Sequence, residues 1–459
     1  MNLPAPELRG TSSTMPRPTH PFDVKSRDLL AIALPASLAF ITEPLAGISD
    51  ITVIGRLGDA SMLGGLVLGA LAFDYIFSLA YFLRVGTAGL TAQAVGARDP
   101  REGLVHLLRA IVLGMFIGIV LIALQGPILA LAGGLLAPEA GALDAMRRYF
   151  AVRIWSAPFS LINYALLGWF YGRARATTGL LLQSLVHGVD MALSIWFVYG
   201  LSWSIEGAAF GTVLGQVAAA LVGLVLVVHH LGGLSALKNA IRLRELTEAT
   251  ALKRMFALSR DITIRSAALM GAYAYFAAQG ARAGDVTLSA NAILLNYLMI
   301  SGFFLDGIAQ AAEQLTGKAL GANYRPAFDQ AYRLSFRWGL LVAAGLALTL
   351  MLGGRVLIEF MTTNAEIRAS AQTYLWLAAI SALTGMPAFV FDGILIGTTL
   401  STTMRNGMIA ALLVFLLGAS VLGGLGNTGL WLALHVFFLA RAGFYWWGLE
   451  RRRSALFAV

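Results

Sequence analysis

Thr91-Ala92-Gln93-Ala94-Val95-Gly96-Ala97 returns, 225 residues later, as Thr316-Gly317-Lys318-Ala319-Leu320-Gly321-Ala322, with Thr, Ala, Gly and Ala in the same places. More than fifty residues further on, Gly168, Gly172, Thr177 and Thr178 recur at the same offset as Gly393, Gly397, Thr402 and Thr403, and Tyr149 recurs as Tyr374. In a chain rich in Gly, Ala and Leu, scattered identities carry little weight. One offset shared by two separate motifs carries much more. The chain reads as two copies of one unit, and a membrane protein built this way places its substrate path between the copies.

Composition names the solvent. The chain is 58% hydrophobic and only 12% charged, with a mean hydropathy of +0.75, against roughly 25% charged in ordinary soluble domains. Its 50 glycines fit the same setting, because small residues let membrane helices approach closely. A soluble chain of 459 residues would need far more charge to cover its surface. The absence of cysteine removes disulfide and thiolate chemistry.

Apolar runs of roughly 20 residues, the length that spans a bilayer, can be drawn about twelve times: 29–54, 62–88, 104–132, 146–171, 177–200, 205–229, 255–281, 288–316, 330–357, 370–397, 405–424 and 428–448. Residues 1–27 carry five prolines and read as a tail without the apolar stretch and cleavage site of a signal peptide. Basic residues gather in that tail and after even-numbered spans, at Arg98 and Arg101, Arg173 and Arg175, the stretch 231–254, Arg325 and the final Arg451–Arg453. This asymmetry places both termini in the cytoplasm. It also accounts for the net charge of +9 without nucleic acid. The basic stretch 231–254 is expected to bridge the halves along the membrane surface, where it could form an interfacial helix.

A shift of 225 carries span two onto span eight and span four onto span ten. That step of six spans is even, so the copies share one orientation and are related by an axis along the membrane normal. The expected fold is all-α: a lobe of six helices over 28–230, the basic linker, a second lobe over 255–450 and a short basic tail over 451–459.

Polar groups at membrane depth carry the functional argument, since they are costly there. Span one has Glu43 and Asp50 on one helix face two turns apart, with Pro44 between them. Pro44 lacks an amide and crowds the carbonyl of Phe40, so span one can bend there. Asp74 and Asp190 follow in spans two and five. Asp306 and Glu313, again seven apart, lie in span eight and Asp392 in span ten. Arg84, Arg153 and Arg265 are the available counter-ions. Any of these acids could instead be a structural partner of an arginine, and for Asp74, Asp306 and Glu313 the two readings weigh equally. Asp50 has apolar neighbours and no basic residue within five positions, which favours a functional role. The steps Gly65/Gly69, Gly114/Gly118, Gly168/Gly172 and Gly393/Gly397 read as helix-packing contacts.

Asp50-Ile51-Thr52-Val53-Ile54-Gly55-Arg56-Leu57-Gly58 resembles the first-helix motif of the multidrug and toxic compound extrusion (MATE) transporters. Gln93-Ala94-Val95-Gly96-Ala97, Gly168-Trp169-Phe170-Tyr171-Gly172 and Gly207-Ala208-Ala209-Phe210-Gly211-Thr212 fit the same family in order and spacing. Arg260-Asp261-Ile262, Leu305-Asp306-Gly307, Asp392-Gly393 and Met404-Arg405-Asn406 are similar to its DNA-damage-inducible F branch. The likeness runs from about residue 28 to 450.

The resemblance implies a secondary transporter, not an enzyme. It would sit in the bacterial cytoplasmic membrane as a monomer and exchange cations for small amphipathic or cationic drugs, with no cofactor. The coupling ion would be H⁺, with Na⁺ left open. Asp50 would carry the proton, with Asp190, Ser194, Thr212 and Tyr149 as its partners. The family commonly has Asn and, one turn later, Asp where this chain has Asp190 and Ser194; the carboxylate has moved back a turn, and i and i+4 still share a face. His187, three residues before Asp190, could tune its charge or simply pack. Two carboxylates in a poorly hydrated pocket do not both ionise cheaply, so protonation can bias the bend at Pro44. Glu43, Asp306, Glu313 and Asp392 would form a substrate or second-lobe site. A lipid-linked-sugar flippase of the same superfamily remains the alternative, and a basic cleft would favour it. The Asp-Arg-x-Gly-Arg-Arg loop of major-facilitator transporters is absent after span two, where Gly96-Ala97-Arg98-Asp99-Pro100-Arg101 stands. The sequence has no His-Glu-x-x-His pair for zinc, and Ala319 after Gly317-Lys318 breaks any Walker pattern.

Overall fold

In the computed structural model, which describes residues 18–136, 139–233 and 248–457, helices are the only regular elements. The first half runs α1 Ser26–Gly55, α2 Ala60–Ala80, α3 Phe82–Gly96, α4 Pro100–Ala123, α5 Gln125–Leu136, α6 Ala140–Arg153, α7 Ala157–Gly172, α8 Ala176–Ile195 and α9 Ser204–His230. The second runs α10 Ala249–Arg282, α11 Asp285–Gly321, α12 Arg325–Met361, α13 Ala365–Gly397, α14 Ser401–Val421 and α15 Gly426–Leu456. Two spans of the first half are each made of two helices. α2 and α3 break at Tyr81, and α6 and α7 break at a 3₁₀ turn over Ile154–Ser156, just before Pro158. The 12-residue α5 is too short to cross a bilayer by itself and is taken with α4, so six spans fall in each half.

Among the described residues, eleven spans are long and apolar enough to cross a bilayer, not the twelve expected. The shortfall is α10, which holds the expected span 255–281. It carries Arg260, Asp261, Arg265, Ser266 and Gln279; Arg260 is exposed, but Asp261 and Arg265 are turned to partners inside the protein, 3% and 9% exposed. Hydropathy undercounts a helix that keeps its charges inward. Span two also runs further than expected, to Gly96, because its last turns carry Thr91 and Gln93 for packing. Residues 1–17 of the proline-rich tail and 234–247 of the basic linker lie outside the described residues. At the other terminus α15 continues through Arg451–Arg453 to Leu456.

The repeat is visible in the packing. Gly168 lies against the carbonyl of Arg84 and Gly172 against that of Ala88; 225 residues on, Gly393 lies against the carbonyl of Ala309 and Gly397 against that of Glu313. The four pairs are two contacts, each made twice, and a side chain at any of these glycines would enter its neighbour's backbone. The other expected small-residue contacts also occur, with Gly65 on Ala145, Gly69 on Tyr149, Gly114 on Leu161 and Gly118 on Pro158.

The halves meet at the end that carries the basic loops. There α3 and α11 cross so closely that Gly96 touches the Lys318 carbonyl and Gly321 the Gln93 carbonyl. Gln93 Nε2 donates to the Gly397 carbonyl at 2.8 Å. One hydrophobic core therefore runs from the first half into α11 and α13, while a second, around Phe276, Phe415 and Trp431, belongs to the second half alone. A short N-terminal strap covers this seam. The His20 amide donates to the Ala322 carbonyl at 2.9 Å and the Val24 amide to Gln330 Oε1 at 3.2 Å. The Lys318 ammonium stands 4.3 Å from the centre of the Phe22 ring.

Candidate functional site

Two halves of α1 hold different neighbours. Before Pro44, Ser37 Oγ donates to the Phe304 carbonyl of α11 at 3.2 Å, and Gly307 presses on the Ala33 carbonyl. After Pro44, α1 lies along α8. Between α8 and α9 the approach is again set by glycine: Gly211 sits against Ser194, and Gly215 against the carbonyl of Val186. This brings Asp190, Ser194 and Thr212 to one place, exposed by only 3%, 0% and 6%.

Ser194 Oγ donates to Asp190 Oδ1 at 3.2 Å, one helical turn back, as the shared face requires. The Thr212 hydroxyl donates to the Ala208 carbonyl at 3.2 Å, and Ser194 reaches the same carbonyl at 3.3 Å. Asp50 faces this group from α1; its Oδ1 is buried and has no hydrogen-bond partner among the described residues. Asp50 and Asp190 act on each other electrostatically, and Arg153 of α6 acts on both. Arg153 is fixed by a short hydrogen bond to Ser156 and by its place over Phe73 and Phe77, 5.2 and 5.7 Å from the ring centres. Tyr149, one turn before Arg153, is buried against Gly69 and edge-on to Phe73 at 6.4 Å. Both His187 ring nitrogens are buried and have no hydrogen-bond partner among the described residues.

Asp50, Asp190, Ser194, Thr212 and Tyr149 thus share one region, with Arg153 as its cation. Glu43 does not belong to it. Although Glu43 lies on the Asp50 face of an ideal helix, its surface is exposed, and its charged neighbours are Asp74 and Arg84. Arg84 extends toward α11, where its Nη2 donates to Gln310 Oε1 at 3.3 Å. It stacks on Phe40, Tyr81 and Tyr171 at 4.6, 4.9 and 5.4 Å. Arg84 acts electrostatically on both Asp306 and Glu313. Glu313 is 4% exposed and its Oε1 is unpartnered among the described residues. These acids form a middle group that joins the two halves.

Asp392 stands in a third setting. Arg265 Nη1 lies 3.3 Å from each of its oxygens, and Arg441 of α15 makes a short ion pair with Oδ2. Arg441 is 2% exposed. With two guanidiniums on one carboxylate, Asp392 is neutralised from within. Arg441 is the residue that sequence reasoning passed over, and its signal was a lone arginine inside the apolar run 428–448.

Chemically, the first-half pocket sets two acids side by side, and such a pair does not ionise twice cheaply. It joins a buried Asp190 and a half-buried Asp50 with two buried hydroxyls and one distant cation.

The MatE family model matches residues 35–196 and 266–423 of the chain. The DNA damage-inducible protein F of Escherichia coli (strain K12) is 36% identical over 414 residues, covering 89% of each chain. The multidrug export protein MepA of Staphylococcus aureus is 23% identical over 193 residues, 42% of this chain and 43% of its own. A multidrug resistance MATE family transporter of the MOP superfamily, solved facing outward, superposes with a TM-score of 0.85 over 95% of this chain and 97% of its own, at 19% identity, a likeness of fold. The paired glycine seams and the two matched segments of the family model describe the same two lobes, and this chain belongs to the MatE family of transporters.

Proposed function

We propose that the protein exports amphipathic or cationic small molecules from the bacterial cytoplasm across the inner membrane, in exchange for protons, by alternating access between its two lobes. The observation that carries this reading is the Asp50–Asp190 pair with Ser194 and Thr212, a pocket suited to one exchangeable proton. Pro44 separates the half of α1 that touches the second lobe from the half that carries Asp50, so a change at Asp50 can alter the fit between lobes. The basic end is the cytoplasmic one by the distribution of Arg and Lys, and the contacts of Gly96 and Gly321 close that end here. Glu43, Asp74, Asp306 and Glu313 give a cationic substrate acidic ground between the lobes. A lipid-linked-sugar flippase calls for unengaged basic residues in the cleft, whereas Arg265 and Arg441 hold Asp392 and Arg84 is stacked on three rings. The working unit is a monomer without cofactor, and its units are a lobe over 28–230, a linker over 231–254 and a lobe over 255–450.

Purified protein in proteoliposomes, given a pH gradient and a sodium gradient separately, tests this. Drug flux is expected with the first and not with the second. Flux driven by sodium alone would overturn the proton assignment.

A further inference from the structure

At the outer end of α1 one free carbonyl is bound by a side chain whose placement depends on an irregular turn. An α-helix leaves its last four carbonyls without intrahelical donors. In α1 three of these accept from the chain that follows: Thr52 from Arg56, Ile54 from Leu57 and Gly55 from Gly58. The fourth, Val53, accepts from the Tyr199 hydroxyl at 2.9 Å.

Tyr199 lies in a π-helical turn, Trp196–Gly200, that follows α8, closed by the Leu201 amide on the Trp196 carbonyl at 3.2 Å. A π turn holds one more residue than an α turn, so it re-aims the side chains beyond it, and such turns concentrate at working sites. The turn is fixed on its inner side. Phe197 is 5% exposed and stacks on Trp203 at 4.9 Å and against Phe210 at 5.6 Å. Tyr199 is therefore turned outward to α1, five residues after Ser194, and it grips α1 three residues after Asp50.

The clasp and the carboxylate contact are thus two rungs between the same two helices. The other half of α1, before Pro44, is held by the second lobe through Ser37 and Ala33. When the lobes move, the segment after Pro44 must be kept in register with α8 by contacts of its own. We infer that Tyr199 is a positioning residue for coupling: its hydroxyl clasps the Val53 carbonyl and sets Asp50 opposite Asp190. This rests on the proton-coupling reading above.

The chain has no cysteine, so two can be introduced and labelled alone. Leu57→Cys and Leu201→Cys, both on exposed residues, carry spin labels across the clasp in the full-length protein. With Tyr199 present, one narrow distance distribution is expected. Tyr199→Phe, which removes only the hydroxyl, is expected to broaden it, to slow pH-driven transport about fivefold, the factor of one net hydrogen bond, and to displace the pH at half-maximal rate. Unchanged distances with an unchanged pH profile would overturn the inference, and so would a fall in thermal stability alone, which would make Tyr199 a helix cap. Broadened distances with an unmoved pH profile would overturn it too, since the clasp would then not set the coupling site. Asp50→Asn run in parallel separates the two readings: full pH-driven transport by that variant sinks the coupling proposal, while the label distances still report the clasp.

Discussion

Place the first lobe on the second at the offset of 225, and Asp50 falls on Tyr275, Asp190 on Phe415, Ser194 on Ala419 and Thr212 on Phe437. The contacts follow. Where Asp50 faces Asp190, the Tyr275 and Phe415 rings meet edge-on at 5.6 Å, and Phe437 stands 5.8 Å from Phe415. The backbone arrangement is the same and the chemistry is opposite: a polar pocket in one lobe, an aromatic stack in the other. Tyr149 and Tyr374 persist on both sides, but Arg153 is replaced by Ala378, so the cation disappears along with the acids it serves. The glycines that set the distance between spans two and four, Gly168 and Gly172, are shared as Gly393 and Gly397, whereas Gly211 and Gly215 of the polar pocket fall on Val436 and Ala440. The two acids and two hydroxyls of the first-lobe pocket are not shared. The acid that the second lobe does keep in span ten, Asp392, is tied between two arginines.

The largest expected effect breaks the symmetry directly. Asp50→Asn keeps size and hydrogen bonding while removing the titratable group, and coupled efflux should be lost in protein that folds normally. Tyr275→Phe, the matching change in the other lobe, should leave transport near the parent rate. Flux assays on both variants decide it; equal losses would mean that the lobes share the coupling task.

Next in size is Asp392→Asn. Removing the carboxylate leaves Arg265 and Arg441 as buried charges without their partner, and breaking such a group costs about 3–5 kcal/mol. The expected result is a large fall in melting temperature and membrane yield, unlike Asp50→Asn. A stable Asp392→Asn protein that fails only in transport would instead place the second lobe in the coupling path.

A smaller effect concerns the displaced carboxylate. Asp190→Asn should impair pH-driven transport, and adding Ser194→Asp should restore part of it, because the two positions are one turn of about 5.4 Å apart on one face. The 3.2 Å bond between Ser194 and Asp190 already marks that face as continuous. Normal transport by Asp190→Asn alone would leave Asp50 as the only coupling acid of its lobe.

Much of this was legible in the sequence because it depends on spacing. The repeat, the parallel arrangement of the lobes and the glycine pairs are all fixed by residues at constant intervals, and the structure makes the contacts of Gly168 and Gly172 again at Gly393 and Gly397. What spacing does not carry is rotation. The break at Tyr81, the 3₁₀ turn before Pro158 and the π turn at Trp196 each re-aim a helix, and no residue interval announces them. Glu43 illustrates the cost: an ideal helix puts it beside Asp50, yet it faces Asp74 and Arg84. α10 illustrates another, since hydropathy averages over a helix and cannot tell that Arg265 points at Asp392. Asp190 stood out as an acid at membrane depth, but its partnership with Asp50 came from family likeness, and its burial with Ser194 and Thr212 is a matter of tertiary packing.

The smallest effect lies at the seam, where the repeat itself offers a test. Gln93 and Lys318 are the same position in the two copies. Gln93 reaches across the lobes to the Gly397 carbonyl at 2.8 Å and to Thr399 at 3.4 Å, while Lys318 meets the Phe22 ring of the strap. A hydrogen bond between lobes must break whenever the basic end opens, and it contributes about 1 kcal/mol. A cation over a ring at a partly exposed site contributes about 0.5–1 kcal/mol. With Thr399→Cys as the reporter in the cysteine-free chain, Gln93→Leu should raise its alkylation rate from the basic side about fivefold. Lys318→Met, which keeps the apolar stem, should raise it about twofold to fivefold. A larger response from Lys318→Met than from Gln93→Leu would reverse the ranking, and the strap, not the lobe-to-lobe bond, would then be what holds the basic end shut.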